Sequence, residues 1–251
     1  MTKKLLSLLF CLGFAAGKLY AVQLQECEIR GVKPSDKIST LELNPAMTVI
    51  DDSAGTSVTS MTLKYYYSFS NMFTIGTEVP FSRYESKENS ENGLGDILLS
   101  ASAVKRFGKL AFGAIGEFTL PSATHDETGI GKWQFSPSVY TEYEIVPQVF
   151  FAAGYKHYVS IAGPSSRDDI NLGRIRAVAA YLSPHGWWAL FDPKYYIDFH
   201  NDNAGEFIIE VETGIMLFDE MSMYLKPGWH TGGNRRSMDW SISFGVKLLS
   251  V

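Results

Sequence analysis

From about residue 40 to the C-terminus, apolar and polar side chains alternate along short runs, the period expected of strands with one oily and one wet face. In one run Phe207, Ile209, Val211, Thr213, Ile215 and Leu217 share one parity, while Glu206, Ile208, Glu210 and Glu212 share the other. Three carboxylates on one face of a strand need water or counter-charges on their own side. A barrel provides both surroundings, with lipid outside and polar groups inside, so the pattern predicts an all-β chain folded as a transmembrane antiparallel β-barrel.

Twelve strands are expected, near 41–49, 58–67, 71–82, 95–106, 110–121, 131–145, 149–161, 170–182, 187–200, 205–218, 221–230 and 239–249. An even number suits a bacterial single-chain barrel with both termini on the periplasmic side. The gaps alternate in length: apart from the modest gap at 201–204, odd-numbered ones are long and even-numbered ones short, which distinguishes outside loops from periplasmic turns. A soluble secreted β-sandwich or lectin-like module, the third-ranked reading, has no reason to keep that alternation.

The chain divides into three parts. Residues 1–21 read as a signal peptide, with Lys3 and Lys4 before the apolar Leu5 to Ala16 and a cleavage point after Ala21. Residues 22–39, with Cys27, Gly31 and Pro34 among scattered charges, read as an N-terminal periplasmic arm, and 40–251 as the barrel. Without Lys3, Lys4 and Lys18 the formal net charge of -5 becomes three units more negative, which gives no general bias toward nucleic acid. Cys27 is then the sole cysteine, so no internal disulfide can form.

Face assignment follows from parity. Trp133, Phe135, Pro137, Val139, Thr141, Tyr143 and Ile145 are expected toward lipid, as are Trp187, Ala189, Phe191, Pro193, Tyr195, Ile197 and Phe199. Pro137 and Pro193 each remove a ladder hydrogen bond, so a bulge that shifts the later parity is expected at either. Trp133, Trp187, Trp229 and Trp240 fall near strand ends, the headgroup level of a spanning strand.

The lumen then receives Glu42, Glu78, Asp96, Glu117, Glu142, Glu144, Asp192, Asp198, Glu206, Glu210 and Glu212. It also receives Lys64, Arg106, Lys132, Lys156, Arg174, Arg176, Lys194, Lys226 and Lys247. Pairing among these is favoured, because stranding one member of a buried ion pair costs about 3–5 kcal/mol. Arg174 and Arg176, facing Glu206, Glu210 and Glu212 across the interior with Asp192 and Lys194 close by, are the candidate lumen constriction.

Catalytic and metal chemistry find little support. His125, His157, His185, His200 and His230 are scattered singly, without metal-ligand spacing, and His125 with Asp126 and Glu127 reads as a solvated loop. A lipid-side lipase would need a serine beside His157, whose outward neighbours are Tyr155 and Val159, while Ser136 and Ser138 point inward. No catalytic residue, metal site or cofactor is assigned. The polar segments Arg83 to Asn92, Ser165 to Asp169 and Gly232 to Arg236 are expected as outside loops at the barrel mouth.

Several segments carry a family resemblance: Gly93-Leu94-Gly95-Asp96, Lys105-Arg106-Phe107, Gly113 to Pro121 and Gly129-Ile130-Gly131-Lys132. Together they resemble an outer-membrane barrel family catalogued under the meta pathway of phenol degradation, whose members are commonly labelled transporters. The resemblance spans roughly 58–250 and is most specific between Gly93 and Tyr143. It implies that Gly95 with Asp96 opens a strand and that Leu120 with Pro121 ends one before an outside loop. The chain departs from that pattern at Ser122-Ala123, where Thr-Gly is usual, and in its nonaromatic C-terminus.

The resemblance implies an outer-membrane channel or transporter of a Gram-negative bacterium, and no enzyme. Passive passage of small solutes, hydrophobic or aromatic ones included, is the expected function. Its rival is a non-conducting structural or surface-interaction barrel. Expected partners are membrane lipids or lipopolysaccharide, a small-molecule solute, and the periplasmic chaperones and barrel-assembly machinery that such a fold requires.

Overall fold

The computed structural model describes residues 29–250. The expected signal peptide over 1–21, the stretch to Glu28 that includes Cys27, and the terminal Val251 lie outside the described residues. Strands in chain order are β1 (Ser39–Asp51), β2 (Thr56–Ser68), β3 (Phe73–Glu85), β4 (Ser90–Leu94), β5 (Leu98–Phe107), β6 (Leu110–Thr119), β7 (Trp133–Val146), β8 (Val149–Ala162), β9 (Asn171–Leu182), β10 (Trp187–Asp198), β11 (Ala204–Phe218), β12 (Met221–Gly233) and β13 (Trp240–Ser250).

All pairings are antiparallel, and β1 pairs with β13 as well as with β2, so one sheet closes on itself. A two-sheet sandwich is thereby replaced by a barrel without a free edge, which satisfies the backbone at membrane depth. The barrel has twelve staves, because β4 and β5 share one: both pair with β3, at its upper and lower parts respectively. Among the described residues no helix is long and apolar enough to cross a membrane, so strands do the crossing.

The expected outside loop Arg83 to Asn92 is mostly strand. β3 runs on to Glu85 and turns directly into β4, and the break in the stave falls at 95–97 instead. Its cause is Asp96, which the sequence pattern places in the lumen. The Asp96 carboxylate instead accepts backbone N–H groups from Ala123 at 3.0 Å, Ile130 at 2.6 Å and Gly131 at 3.3 Å, while Ile97 N–H donates to Ser122 Oγ at 2.8 Å. A Cβ at Gly129 would lie 2.7 Å from this carboxylate. Gly95-Asp96, Leu120 to Ala123 and Gly129 to Gly131 therefore build one junction that folds the β6–β7 loop against the wall.

Neither Pro137 nor Pro193 shifts the register. Phe135 pairs with Val159 and Ser138 with Lys156, two pairs that belong to one continuous alignment of β7 and β8; Phe191 with Ala179 and Lys194 with Arg176 do the same for β10 and β9. Each proline faces the neighbour to which it cannot donate, so a local bond is lost and the parity holds. Shifts occur elsewhere, as at Phe207/Ile208 between β11 and β12.

The outward face is predominantly apolar: Leu43, Leu63, Phe81, Phe112, Ile175, Phe191 and Phe244 are exposed, and Val139 keeps 60% of its surface. A belt of that extent is stable only against acyl chains. Trp133, Trp229 and Trp240 flank it near the loop end and Trp187 near the turn end, where Trp187 packs on Tyr181.

Inside, four aromatics lie over glycines that are their direct cross-strand partners: Tyr66 over Gly76, Tyr140 over Gly113, Trp188 over Gly214 and Tyr224 over Gly245. The missing side chain leaves room for the ring against the wall. Each polar tip then reaches a fixed partner. Tyr66 donates to Glu78, Tyr224 to Glu42 at 2.7 Å, Trp188 Nε1 to Glu212 at 2.9 Å, and Tyr140 to the Pro34 carbonyl at 2.9 Å.

Candidate functional site

The lumen is the candidate site, and its floor is built by residues 29–38. These enter the barrel at the end marked by the short turns 108–109, 147–148 and 219–220, which in outer-membrane barrels faces the periplasm. At this end the inward residues turn apolar: Phe150, Val178, Leu182, Trp188, Leu190, Met216 and Leu249 form a buried cluster, and Ile29, Val32 and Ile38 of the arm pack against it. Burial of apolar surface at about 25 cal/mol per Å² supplies non-directional attraction.

Polar contacts fix the arm's position. The Glu142 carboxylate, fully buried, accepts the Ser35 N–H at 2.9 Å, the Ser35 hydroxyl at 2.8 Å and Arg106 at 2.7 Å. Lys33 pairs with Glu144 at 2.5 Å, and Lys37 donates to Ser102 Oγ at 3.0 Å. Within the arm, Asp36 accepts N–H groups from Gly31 at 3.0 Å and Lys33 at 3.2 Å, closing a compact loop. Burial pushes the Asp36 carboxyl above its ordinary 3.8, and the nearby N–H groups and Lys33 only partly offset this.

Further up the wall, ion pairs run between adjacent staves. Arg176 on β9 grips Asp192 on β10 through both carboxylate oxygens, at 2.7 and 2.8 Å. Lys194 on β10 reaches Glu210 on β11 at 2.6 Å and lies 3.7 Å from Asp192, and Lys226 on β12 lies 3.6 Å from Glu210. Asp192 and Glu210 are direct cross-strand partners, a like-charge contact that would be unfavourable without the cations on either side. Near the closure, Glu42 pairs in register with Lys64 on β2 and Lys247 on β13, the former at 3.1 Å.

Of the residues expected to form a constriction, Arg176, Asp192, Lys194 and Glu210 come together as this belt along the wall. The other three go elsewhere. Glu206, fully buried, holds the β12–β13 loop through Arg235 and the Ser237 N–H at 2.6 Å, and lies 3.3 Å from His230 on β12. Glu212 receives the Trp188 indole, and Arg174 lies over the Tyr158 ring at 5.7 Å with no carboxylate within 4.0 Å among the described residues. The arm residues were missed by parity reasoning because they carry no period; two inward carboxylates on β7, Glu142 and Glu144, were the available sign that a basic segment would meet them.

His157 points outward and contacts the Tyr155 hydroxyl at 2.9 Å, and Ser136 is buried inside the wall beside Gln134. His125 lies 3.4 Å from Glu91, while Asp126 pairs with Arg167 at 2.7 Å. Among the described residues no group of three or more His, Cys, Asp or Glu side chains could hold a metal ion.

Comparison with known proteins agrees with this geometry. A family model described as "Putative MetA-pathway of phenol degradation" matches residues 48–206. The COG4313 outer membrane channel from Pseudomonas putida F1 superposes with a TM-score of 0.70 at 12% identity, over 87% of this chain and 100% of that one. The NanC porin gives 0.60 at 10% identity over 84% and 100%, and the KdgM porin 0.58 at 11% over 83% and 98%. No curated protein matches. At these identities the structures speak for the fold, an outer-membrane barrel shared by channels and porins.

Proposed function

Given that the chain belongs to the family described as "Putative MetA-pathway of phenol degradation", a family of outer-membrane barrels, we propose that it is a passive conduit for small solutes, hydrophobic or aromatic ones included. The observation that carries this reading is the division of the interior into two zones. A wet, charge-lined upper wall leads down to an apolar floor of Phe150, Val178, Trp188 and Leu190 capped by the arm, so a solute with polar and apolar parts meets a matching surface at each depth. Flux through such a conduit follows the gradient.

The arm is the gate in this reading. It precedes the first strand, rests on side-chain contacts and one apolar cluster, and belongs to no ladder, so it can withdraw without breaking the sheet. The belt of Arg176, Asp192, Lys194 and Glu210 sets the charge that a passing solute meets. Lipopolysaccharide and phospholipid cover the outer face, and periplasmic chaperones with the barrel-assembly machinery deliver the chain.

The same arm favours the rival, a closed structural barrel. Reconstitution decides between them: proteoliposomes should swell in small neutral and charged solutes faster than empty vesicles. Absence of both swelling and conductance, where a general porin shows each, would establish the closed barrel.

A further inference from the structure

Between the arm and the wall lies a cavity of about 450 Å³ whose charged lining is entirely basic: Lys33, Lys37, Lys156, Arg174, Arg176 and Lys247. No carboxylate lines it, although the lumen as a whole holds both signs. We propose that this cavity is a binding site for a small organic anion, a carboxylate with an apolar body. The proposal rests on the conduit reading and names the class of solute it would pass.

Three observations support it. First, the register sets two cations of the lining directly beside one another: Lys156 on β8 is the cross-strand partner of Arg174 on β9. Like charges in that position repel, and a bound anion removes the penalty.

Second, the protein neutralises this positive charge only in part. Lys33, Lys156 and Arg176 have carboxylate partners in Glu144, Glu117 and Asp192. Arg174, Lys37 and Lys247 have none within 4.0 Å among the described residues: Arg174 meets the Tyr158 ring and the Tyr196 hydroxyl, Lys37 the Ser102 hydroxyl at 3.0 Å, and Lys247, opposite Glu42 in register, the Gly31 carbonyl at 3.5 Å. Arg174 Nε is moreover buried without a hydrogen-bond partner. A planar guanidinium with a donor to spare is suited to a carboxylate.

Third, the remaining lining suits an apolar body. Val32 of the arm, Ile115 and Val178 face the same space, as do the rings of Tyr66 and Tyr140. Since Lys33, Lys37 and Val32 belong to the arm, a bound anion touches wall and gate together, and binding there is coupled to the gate's position.

Benzoate and its near-isosteric neutral amide, benzamide, separate charge from shape. The intact barrel in detergent, followed by saturation-transfer NMR, should bind benzoate saturably and benzamide at least about tenfold more weakly, an excess of roughly 1.4 kcal/mol. Arg174→Gln should remove that preference, and Lys37→Gln, which alters the arm and touches the wall only through Ser102, should reduce it; Lys105→Gln, on the outer face, should leave it intact. Equal binding of the two compounds, or a preference that survives both Arg174→Gln and Lys37→Gln, overturns the site. Proteoliposome flux tests the conduit separately: benzoate binding that responds to Arg174→Gln without flux overturns the conduit and keeps the site, whereas flux of both compounds without preference does the reverse.

Discussion

Ser35 and Glu142 are joined twice, by the backbone N–H at 2.9 Å and by the hydroxyl at 2.8 Å, across more than a hundred residues of chain. This is where the arm is held most firmly, because the same buried carboxylate also engages Arg106. Hydrogen bonds to a charged group contribute about 1.5–3 kcal/mol each.

Glu142→Gln should therefore free the arm without opening the barrel. The amide cannot accept from Ser35 and Arg106 as an anion does, and the equilibrium constant for seating the arm should fall by about tenfold or more, a change of roughly 1.4 kcal/mol. Single-channel recordings check this: the variant should flicker to larger conductance levels, and traces like those of the wild type would show that the arm is held by its apolar contacts alone.

A second expectation concerns the wall. A methyl group at Gly214 would lie 2.2 Å from the Trp188 ring, which must leave the wall and abandon Glu212. Gly214→Ala should destabilise the barrel by about 1–3 kcal/mol, the range for overpacking. Gly232→Ala, whose Cβ meets nothing within 4 Å, is the matched control. The urea midpoint of unfolding, read by tryptophan fluorescence, should fall for the first and stay for the second.

The belt predicts selectivity. Asp192→Asn deprives Arg176 of its carboxylate and Lys194 of a second one. Arg176 is 41% exposed along its side chain, so water screens part of the loss and the cost should be about 1–2 kcal/mol, below that of a stranded buried charge. The reversal potential in a potassium chloride gradient should shift toward chloride, and an unshifted potential would place the belt outside the solute path.

Acid should loosen the mouth of the barrel. Asp239, in the β12–β13 loop, accepts the Asp52 N–H at 2.8 Å and Arg236 Nε at 2.5 Å, which ties that loop to the β1–β2 turn. The Asp52 N–H foremost, and Arg236, hold the carboxyl below its ordinary 3.8. A depressed pKa means that the stabilisation is complete above 3.8 and disappears as the pH falls through the lower, folded value. Hydrogen exchange at residues 234–239 should accelerate in that acid window, and Asp239→Asn should exchange faster at neutral pH and show less acid dependence there.

Parity carried the fold a long way. The inward and outward assignment of β7 and β10 holds on both sides of Pro137 and Pro193, because a lost hydrogen bond is local whereas a register shift would turn every later side chain to the wrong face. Asp96 shows where parity stops. Its carboxylate serves backbone N–H groups from a loop some thirty residues on, and no periodic pattern records such a contact. The candidate constriction was half legible for a related reason: alternation tells which way Glu206 and Glu212 point, while their partners, Arg235 and Trp188, depend on a loop path and a ring laid over Gly214. The arm left no such trace, since its ten described residues before β1 hold a single turn and no period.

The arm's seat also dictates an order of assembly. Its contacts come from strands far apart in the sequence: Glu142 and Glu144 on β7, and Leu249 on β13, whose side chain lies 3.0 Å from where a Cβ on Gly31 would be. That socket exists only after the last strand has zipped against the first. The complete seat of the N-terminal segment is thus a product of barrel closure, and a sheet left unzipped at that seam would hold the segment by its β7 contacts without Leu249.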